Sequence, residues 1–305
     1  MATQHPTHSS QALTGALFVL VSAIAFSSKA VMIKLAYGYH VDTETLLILR
    51  LAFAAPLYLG IAVWIYRSGK SAHLSRQDVI AIVLLGTAGY LPMWADFAGL
   101  AYVSAGVERV ILFLYPTMVV LISAALFGSR IGRHEIFALG ASYIGVAMAA
   151  GEEVLAPQAT SPHVLLGATL IFISAFTYAG YLVISGRLIP RIGATAFTAY
   201  TMLVLSATSA VHFALTPHPV SFSGLPVQVY GISLLMAIVA TVLPSFLLSA
   251  GIHRIGSNRA ALLGTIGPVS TMGLAWMFLG EGVTALQLLG TVFVIAGVLA
   301  ISIKN

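Results

Sequence analysis

Leu13 to Ala36 reads LTGALFVLVSAIAFSSKAVMIKLA. A helix needs about 20 mainly apolar residues to cross a hydrocarbon core about 30 Å thick, and this run supplies them. It is too long for the apolar core of a signal peptide, and more runs of the same kind follow it. It is therefore expected to be the first membrane helix of the mature chain. The stretch before it, 1–12, is polar and is expected to be a disordered tail.

Working outward, comparable runs fall at 44–66, 78–101, 105–127, 134–150, 163–185, 195–215, 228–250, 257–279 and 284–303. Turn chemistry marks the breaks: Ser68-Gly69-Lys70, Gly151-Glu152-Glu153, and Thr216-Pro217-His218-Pro219. Lipid offers no partners for backbone polar groups, so each run should be a helix. A β-barrel would need short alternating strands, and these runs are continuously apolar. Composition agrees. Of 305 residues 59% are hydrophobic and 8% charged, about a third of the charged share of a soluble domain. Ten spans use roughly two thirds of the chain, leaving no room for a soluble domain. There is no cysteine, hence no thiolate nucleophile, disulfide or Cys-based zinc site.

Lys and Arg resist translocation and so set orientation. Arg67, Lys70, Arg76, Arg130, Arg133, Arg187, Arg191, Arg254, Arg259 and Lys304 all fall on one side of the ten spans. Lys34 and Arg109 fall on the other, at span ends. Both termini are therefore expected in the cytoplasm. The net charge of +5 is a topology signal and gives no reason to expect a nucleic-acid partner.

Shifted by 152 residues, the chain partly matches itself without gaps. Gly15-Ala16 fall on Gly167-Ala168, Ser22-Ala23 on Ser174-Ala175, Pro92 on Pro244, Ala98-Gly99 on Ala250-Gly251, Pro116 on Pro268, Gly128 on Gly280, and Gly145-Val146 on Gly297-Val298. One register holds across five spans. Paired prolines weigh most, because Pro is uncommon inside helices. Residues 13–150 and 163–305 are thus two five-helix repeats, joined by an outer linker at 151–162. An odd number of spans per repeat means that the second enters the membrane from the opposite side. The fold class is an all-α membrane protein of ten transmembrane helices in two inverted repeats. Such repeats can rock about a site near the midplane, which is the geometry of alternating access.

These units resemble the EamA-type domain of the drug/metabolite transporter superfamily. The resemblance covers nearly all of 13–303. It is carried by Arg259-Ala-Ala-Leu-Leu-Gly-Thr-Ile-Gly-Pro268, Phe278-Leu-Gly-Glu281, Gln287-Leu-Leu-Gly290 and Ala296-Gly297-Val298, with Leu112 to Pro116 and Phe127-Gly128 in the first repeat. Ser129 stands where the first repeat of the family would carry the acidic residue that matches Glu281. The resemblance implies a multi-pass transporter of the bacterial inner membrane with a central solute cavity. Within the superfamily, YddG-type exporters of aromatic and other amino acids are the nearest likeness.

Polar groups inside a membrane are costly, so their positions are informative. Lys29 lies about 10 Å from the outer end of span one at 1.5 Å per residue, and Arg50 is similarly deep in span two. Asp96 is near the outer end of span three and is expected to pair with Lys29 or Arg50. These groups suit substrate docking, a cation for a carboxylate and Asp96 for an amine; a structural ion pair is the alternative. Tyr90, Trp94 and Phe97 follow i, i+4, i+7 spacing, with Pro92, Asp96 and Gly99 on a neighbouring face. With Tyr115, Tyr178 and Tyr181 these rings could enclose an apolar side chain. Ser245 and Ser249 belong to a polar stripe in span eight. Pro92, Pro116, Pro244 and Pro268 each free a carbonyl one turn earlier and are candidate hinges. Small-residue faces in spans five and ten suit close packing, as supports or as a homodimer contact.

No His pair has zinc-helix spacing and no phosphate loop occurs, so no metal, cofactor or enzymatic activity is expected. The expected partners are a small-molecule substrate and the lipid bilayer. The expected function is alternating-access export of small amphipathic metabolites, amino acids foremost. Exchange of phosphorylated or nucleotide-linked sugars is the alternative, and an intramembrane enzyme or a channel ranks lower.

Overall fold

The structure is a computed structural model that describes residues 8–69, 74–128, 131–155, 163–216, 222–255 and 257–302. Among them regular structure is helical: α1 (His8–Tyr37), α2 (Thr43–Arg67), α3 (Arg76–Ala88), α4 (Tyr90–Leu100), α5 (Ala105–Leu112), α6 (Tyr115–Phe127), α7 (Arg133–Leu155), α8 (Val164–Ile192), α9 (Ala194–Leu215), α10 (Val227–Ala237), a π-helical turn (Ile238–Val242), α11 (Leu243–Ile255), α12 (Ser257–Gly264), α13 (Ile266–Leu279) and α14 (Ala285–Ser302). Eight stretches are long and apolar enough to cross a membrane, and Ala285–Ala300 is a shorter apolar helix. α1 starts at His8, inside the expected tail, because no Gly or Pro interrupts the chain between His8 and Leu13. α7 runs to Leu155, into the expected linker, whose remainder lies outside the described residues.

Prolines set the interruptions. A Pro has no N–H and its ring collides with the carbonyl four residues back. α3 ends and α4 begins at Gly89, just before Pro92, and α5 gives way to α6 at Phe113–Leu114, just before Pro116. The π-turn precedes Pro244, and Thr265 separates α12 from α13 before Pro268. The same breaks therefore recur in both halves, at the paired prolines.

Packing follows the same symmetry. α1 lies along α11 and α13, while α8 lies along α4 and α6. α2 packs on α9, and α7 on α14. The α4–α8 and α1–α11 crossings need glycine. A Cβ on Gly99 would lie 2.9 Å from the Gly167 carbonyl, and one on Gly251 would lie 3.0 Å from the Gly15 carbonyl. Gly128 and Gly280 end α6 and α13 in the left-handed region, at φ 69° and 67°; a side chain there would be strained.

The two ends of the bundle differ. The end that holds the α1–α2 turn carries the largest core cluster, with Ile33, Leu46, Leu51 and Phe97 from the first half and Val229, Met236 and Ala275 from the second. At that end Lys34 reaches Glu281 at 3.3 Å and donates to the Val103 carbonyl at 2.6 Å. Glu281 also accepts the Ala105 N–H at the start of α5. The opposite end holds Asp78, whose side chain caps α3 with Ser75 and pairs with Arg191 at 3.0 Å.

Candidate functional site

Beneath the packed α1–α2 end lies a cavity of about 360 Å³. The first half supplies Phe26 and Lys29 from α1, Arg50 from α2, Leu85, Gly86 and Gly89 along α3, and Pro92, Met93 and Asp96 from α4. Arg109, Leu112, Phe113 and Tyr115 border it around the α5–α6 break. The second half supplies Ser174, Tyr178 and Tyr181 from α8, Thr201, Met202 and Leu205 from α9, Ala240 from the π-turn and Leu248 from α11.

Its charged groups all come from the first half of the described residues. Lys29 Nζ donates to Asp96 Oδ2 and lies 3.4 Å from Glu108, which is fully buried behind it. Among the described residues Asp96 is the only carboxylate on the wall. Arg50, 5% exposed, does not join this cluster. It donates from Nε and Nη2 to Thr241 Oγ1 at 3.0 and 2.8 Å, and its guanidinium sits over the Phe97 ring at 5.2 Å. That bond crosses from the first half to the π-turn of the second. Arg109 has a buried Nε without a hydrogen bond. Among the described residues neither arginine has a carboxylate within ion-pair distance.

The second half's share of the wall, among the described residues, is uncharged. Tyr178 stacks on Tyr181 with centroids 6.2 Å apart, and Tyr115, from the first half, meets Tyr178 edge-on at 5.3 Å. The 152-residue register makes a pattern here. Lys29 matches Tyr181, Arg50 matches Met202 and Asp96 matches Leu248, so these three charges have uncharged repeat mates on the same cavity, while Arg109 matches Ala261.

Of the residues singled out from sequence, Lys29, Arg50, Asp96, Tyr115, Tyr178, Tyr181 and Pro92 border the cavity. Tyr90, Trp94, Phe97 and Ser245 do not. The Pro92–Met93–Asp96 face of α4 lines the cavity, and the ring-bearing face bonds to α2 and α9. There Tyr90 bonds His212 Nδ1 at 2.7 Å, and Trp94 donates Nε1–H to Glu44 at 2.9 Å. Phe97 is fully buried under Arg50. Ser245 donates to its own helix at Thr241 O, 2.6 Å away. The Ser249 side chain lies outside the described residues. Of the candidate hinges, Pro92 and Pro244 are held alike: Ser174 donates to the Pro92 carbonyl and Ser22 to the Pro244 carbonyl, both at 2.7 Å. Pro116 and Pro268 follow the other two breaks away from the wall.

Sequence reading missed Arg109, placing it at a span end. The signal was in the repeat alignment. Tyr115 matches Gly267, and a Cβ at Gly267 would lie 2.7 Å from Arg109 Nη2. The glycine is the notch that lets this guanidinium lie at the cavity. Among the described residues no three His, Asp or Glu groups gather as a metal site.

Two segments, 13–151 and 165–303, match the EamA-like transporter family. They start 152 residues apart (165 less 13), the register of the internal repeat. The uncharacterized transporter YcbK of Bacillus subtilis is 33% identical over 301 residues, which cover 94% of this chain and 93% of YcbK. The inner membrane transporter YicL of Salmonella typhimurium is 24% identical, covering 95% and 96%. The pseudopaline exporter CntI of Pseudomonas aeruginosa is 23% identical over the same shares. A solved crystal structure shares the fold with a TM-score of 0.61 at 17% identity, covering 94% of this chain and 96% of that one. The chain is a multi-pass membrane transporter and belongs to the EamA-like transporter family.

Proposed function

We propose that this transporter exports small amphipathic metabolites by alternating access, with amino acids, aromatic ones included, as its principal substrates. The observation that carries the reading is a cavity that joins charged groups to aromatic and apolar ones. The first half lines it with Lys29, Arg50, Asp96 and Arg109, and the second with Tyr178, Tyr181, Met202 and Leu248. An amino acid has the matching halves, a charged backbone end and a side chain that apolar and aromatic walls accept. In this proposal ten helices span the bacterial inner membrane with both termini cytoplasmic. The positive charge of the α2–α3 end supports that orientation. The packed α1–α2 end is then the outer gate.

The test is uptake of a labelled amino-acid panel into proteoliposomes, with empty liposomes and a sugar phosphate as controls. Saturable flux of amino acids that unlabelled members compete away is the expected result. Two arginines without carboxylate partners also suit a phosphate. Flux of the sugar phosphate with none of any amino acid, from a monodisperse protein, would replace this reading with sugar-phosphate exchange.

A further inference from the structure

Charge bookkeeping at the cavity narrows the substrate class. Lys29 is already engaged by Asp96 and Glu108. Arg50 and Arg109 remain at the wall, and among the described residues neither has a carboxylate within ion-pair distance. Three cations against two carboxylates leave a net positive site. Excess charge in a low-dielectric interior is expensive until an opposite charge enters. A zwitterionic amino acid, with no net charge, leaves that excess in place.

We propose that the preferred substrate is an amino acid derivative with two carboxylates, one amine and an apolar or aromatic body. Its two carboxylates engage Arg50 and Arg109, and its amine engages Asp96. Guanidinium groups suit this role because they present planar forks of donors to carboxylates and stay charged. Arg50 spends two nitrogens on Thr241 Oγ1, which fixes its plane, and has other donors left. Arg109 is seated in the Gly267 notch, with a buried Nε–H that has no acceptor. Asp96 has a second oxygen, Oδ1, without a hydrogen bond. The body then lies along Tyr178 and Tyr181. The inference rests on the amino-acid reading above, and specifies which member of that class fits.

The experiment compares three probes in proteoliposomes: labelled phenylalanine, N-(1-carboxyethyl)phenylalanine and N-acetylphenylalanine. The second has two carboxylates and an amine. The third has one carboxylate and no basic amine. The dicarboxylate should move with a kcat/KM at least tenfold above phenylalanine and above N-acetylphenylalanine, which carries the offsetting charge but has no amine for Asp96 and no second carboxylate. Arg50→Gln and Arg109→Gln should each collapse the dicarboxylate-to-phenylalanine ratio toward one, and Gly267→Ala, which crowds Arg109, should lower it in the same direction. Saturable phenylalanine flux without a dicarboxylate preference would overturn this inference and leave the amino-acid reading standing. A ratio unchanged in every variant that still transports would also overturn it. Absence of flux for all three probes from monodisperse wild-type protein would overturn both.

Discussion

The two repeats share their joints and differ in what they present to the cavity. Gly89 and the π-turn interrupt equivalent rods, as do Phe113–Leu114 and Thr265. Ser174 holds Pro92 as Ser22 holds Pro244, at the same 2.7 Å. At the wall the likeness ends: Lys29, Arg50 and Asp96 stand where the other repeat has Tyr181, Met202 and Leu248. Backbone geometry is constrained because two repeats must close against each other. Wall chemistry is under no such constraint, and one cavity takes its charged groups from one half and uncharged ones from the other.

The comparison is most exposed at a matched pair of positions. Lys29→Met removes the ammonium that Asp96 and Glu108 share. Two buried carboxylates without their cation should cost about 3 kcal/mol of stability. Tyr181→Met, at the repeat mate, loses one ring stack and should cost about 1 kcal/mol. Thermal unfolding of both in the same detergent gives the ranking, and equal losses would mean that the charged wall has no special weight in the fold.

How much of this was legible beforehand follows from the range of the interactions involved. Apolar runs and prolines act locally, so the eight stretches long and apolar enough to cross a membrane could be placed from sequence, and the four prolines marked where the rods are interrupted. The repeat register needed only aligned Gly, Pro and Ser positions, and the family match reproduces it. Side-chain direction after a break could not be read. Tyr90, Trp94 and Phe97 share one face of α4 and Pro92 and Asp96 the neighbouring one, and the bonds of Tyr90 to His212 and Trp94 to Glu44 hold those rings away from the wall. The partner of Arg50 was also out of reach, because Thr241 is 191 residues away and sits in a π-turn. Asp96 was limited to two candidate cations by depth alone, and Lys29 is the one it binds.

Where the repeats agree, matched substitutions should do equal harm. Gly99→Ala would bring a Cβ to 2.5 Å from Ile171 Cδ1, and Gly251→Ala to 2.5 Å from Val19 Cγ2. Each forces a helix pair apart and should cost about 1–3 kcal/mol, by the usual penalty for overpacking. Unfolding measurements should find the two within about 1 kcal/mol of each other. A much larger effect at one crossing would identify it as the more rigid of the two.

The smallest expected effect bears on whether the joints are independent. Ser22→Ala and Ser174→Ala each delete one hydrogen bond to a proline carbonyl. A single neutral bond contributes about 1 kcal/mol, so each variant should lose that much. The serines share no hydrogen-bond partner in this conformation, and separate sites add to within about 0.5 kcal/mol. The double variant should therefore lose about 2 kcal/mol in a static measurement. Transport poses a different question, because the proposed alternating access moves one repeat against the other. If the two bonds exchange strength as the halves rock, the double variant should change kcat by more than the product of the single effects while KM stays fixed. Multiplicative kcat values together with additive stabilities would show that the joints are static clamps, and would move the search for the hinge to Pro116 and Pro268.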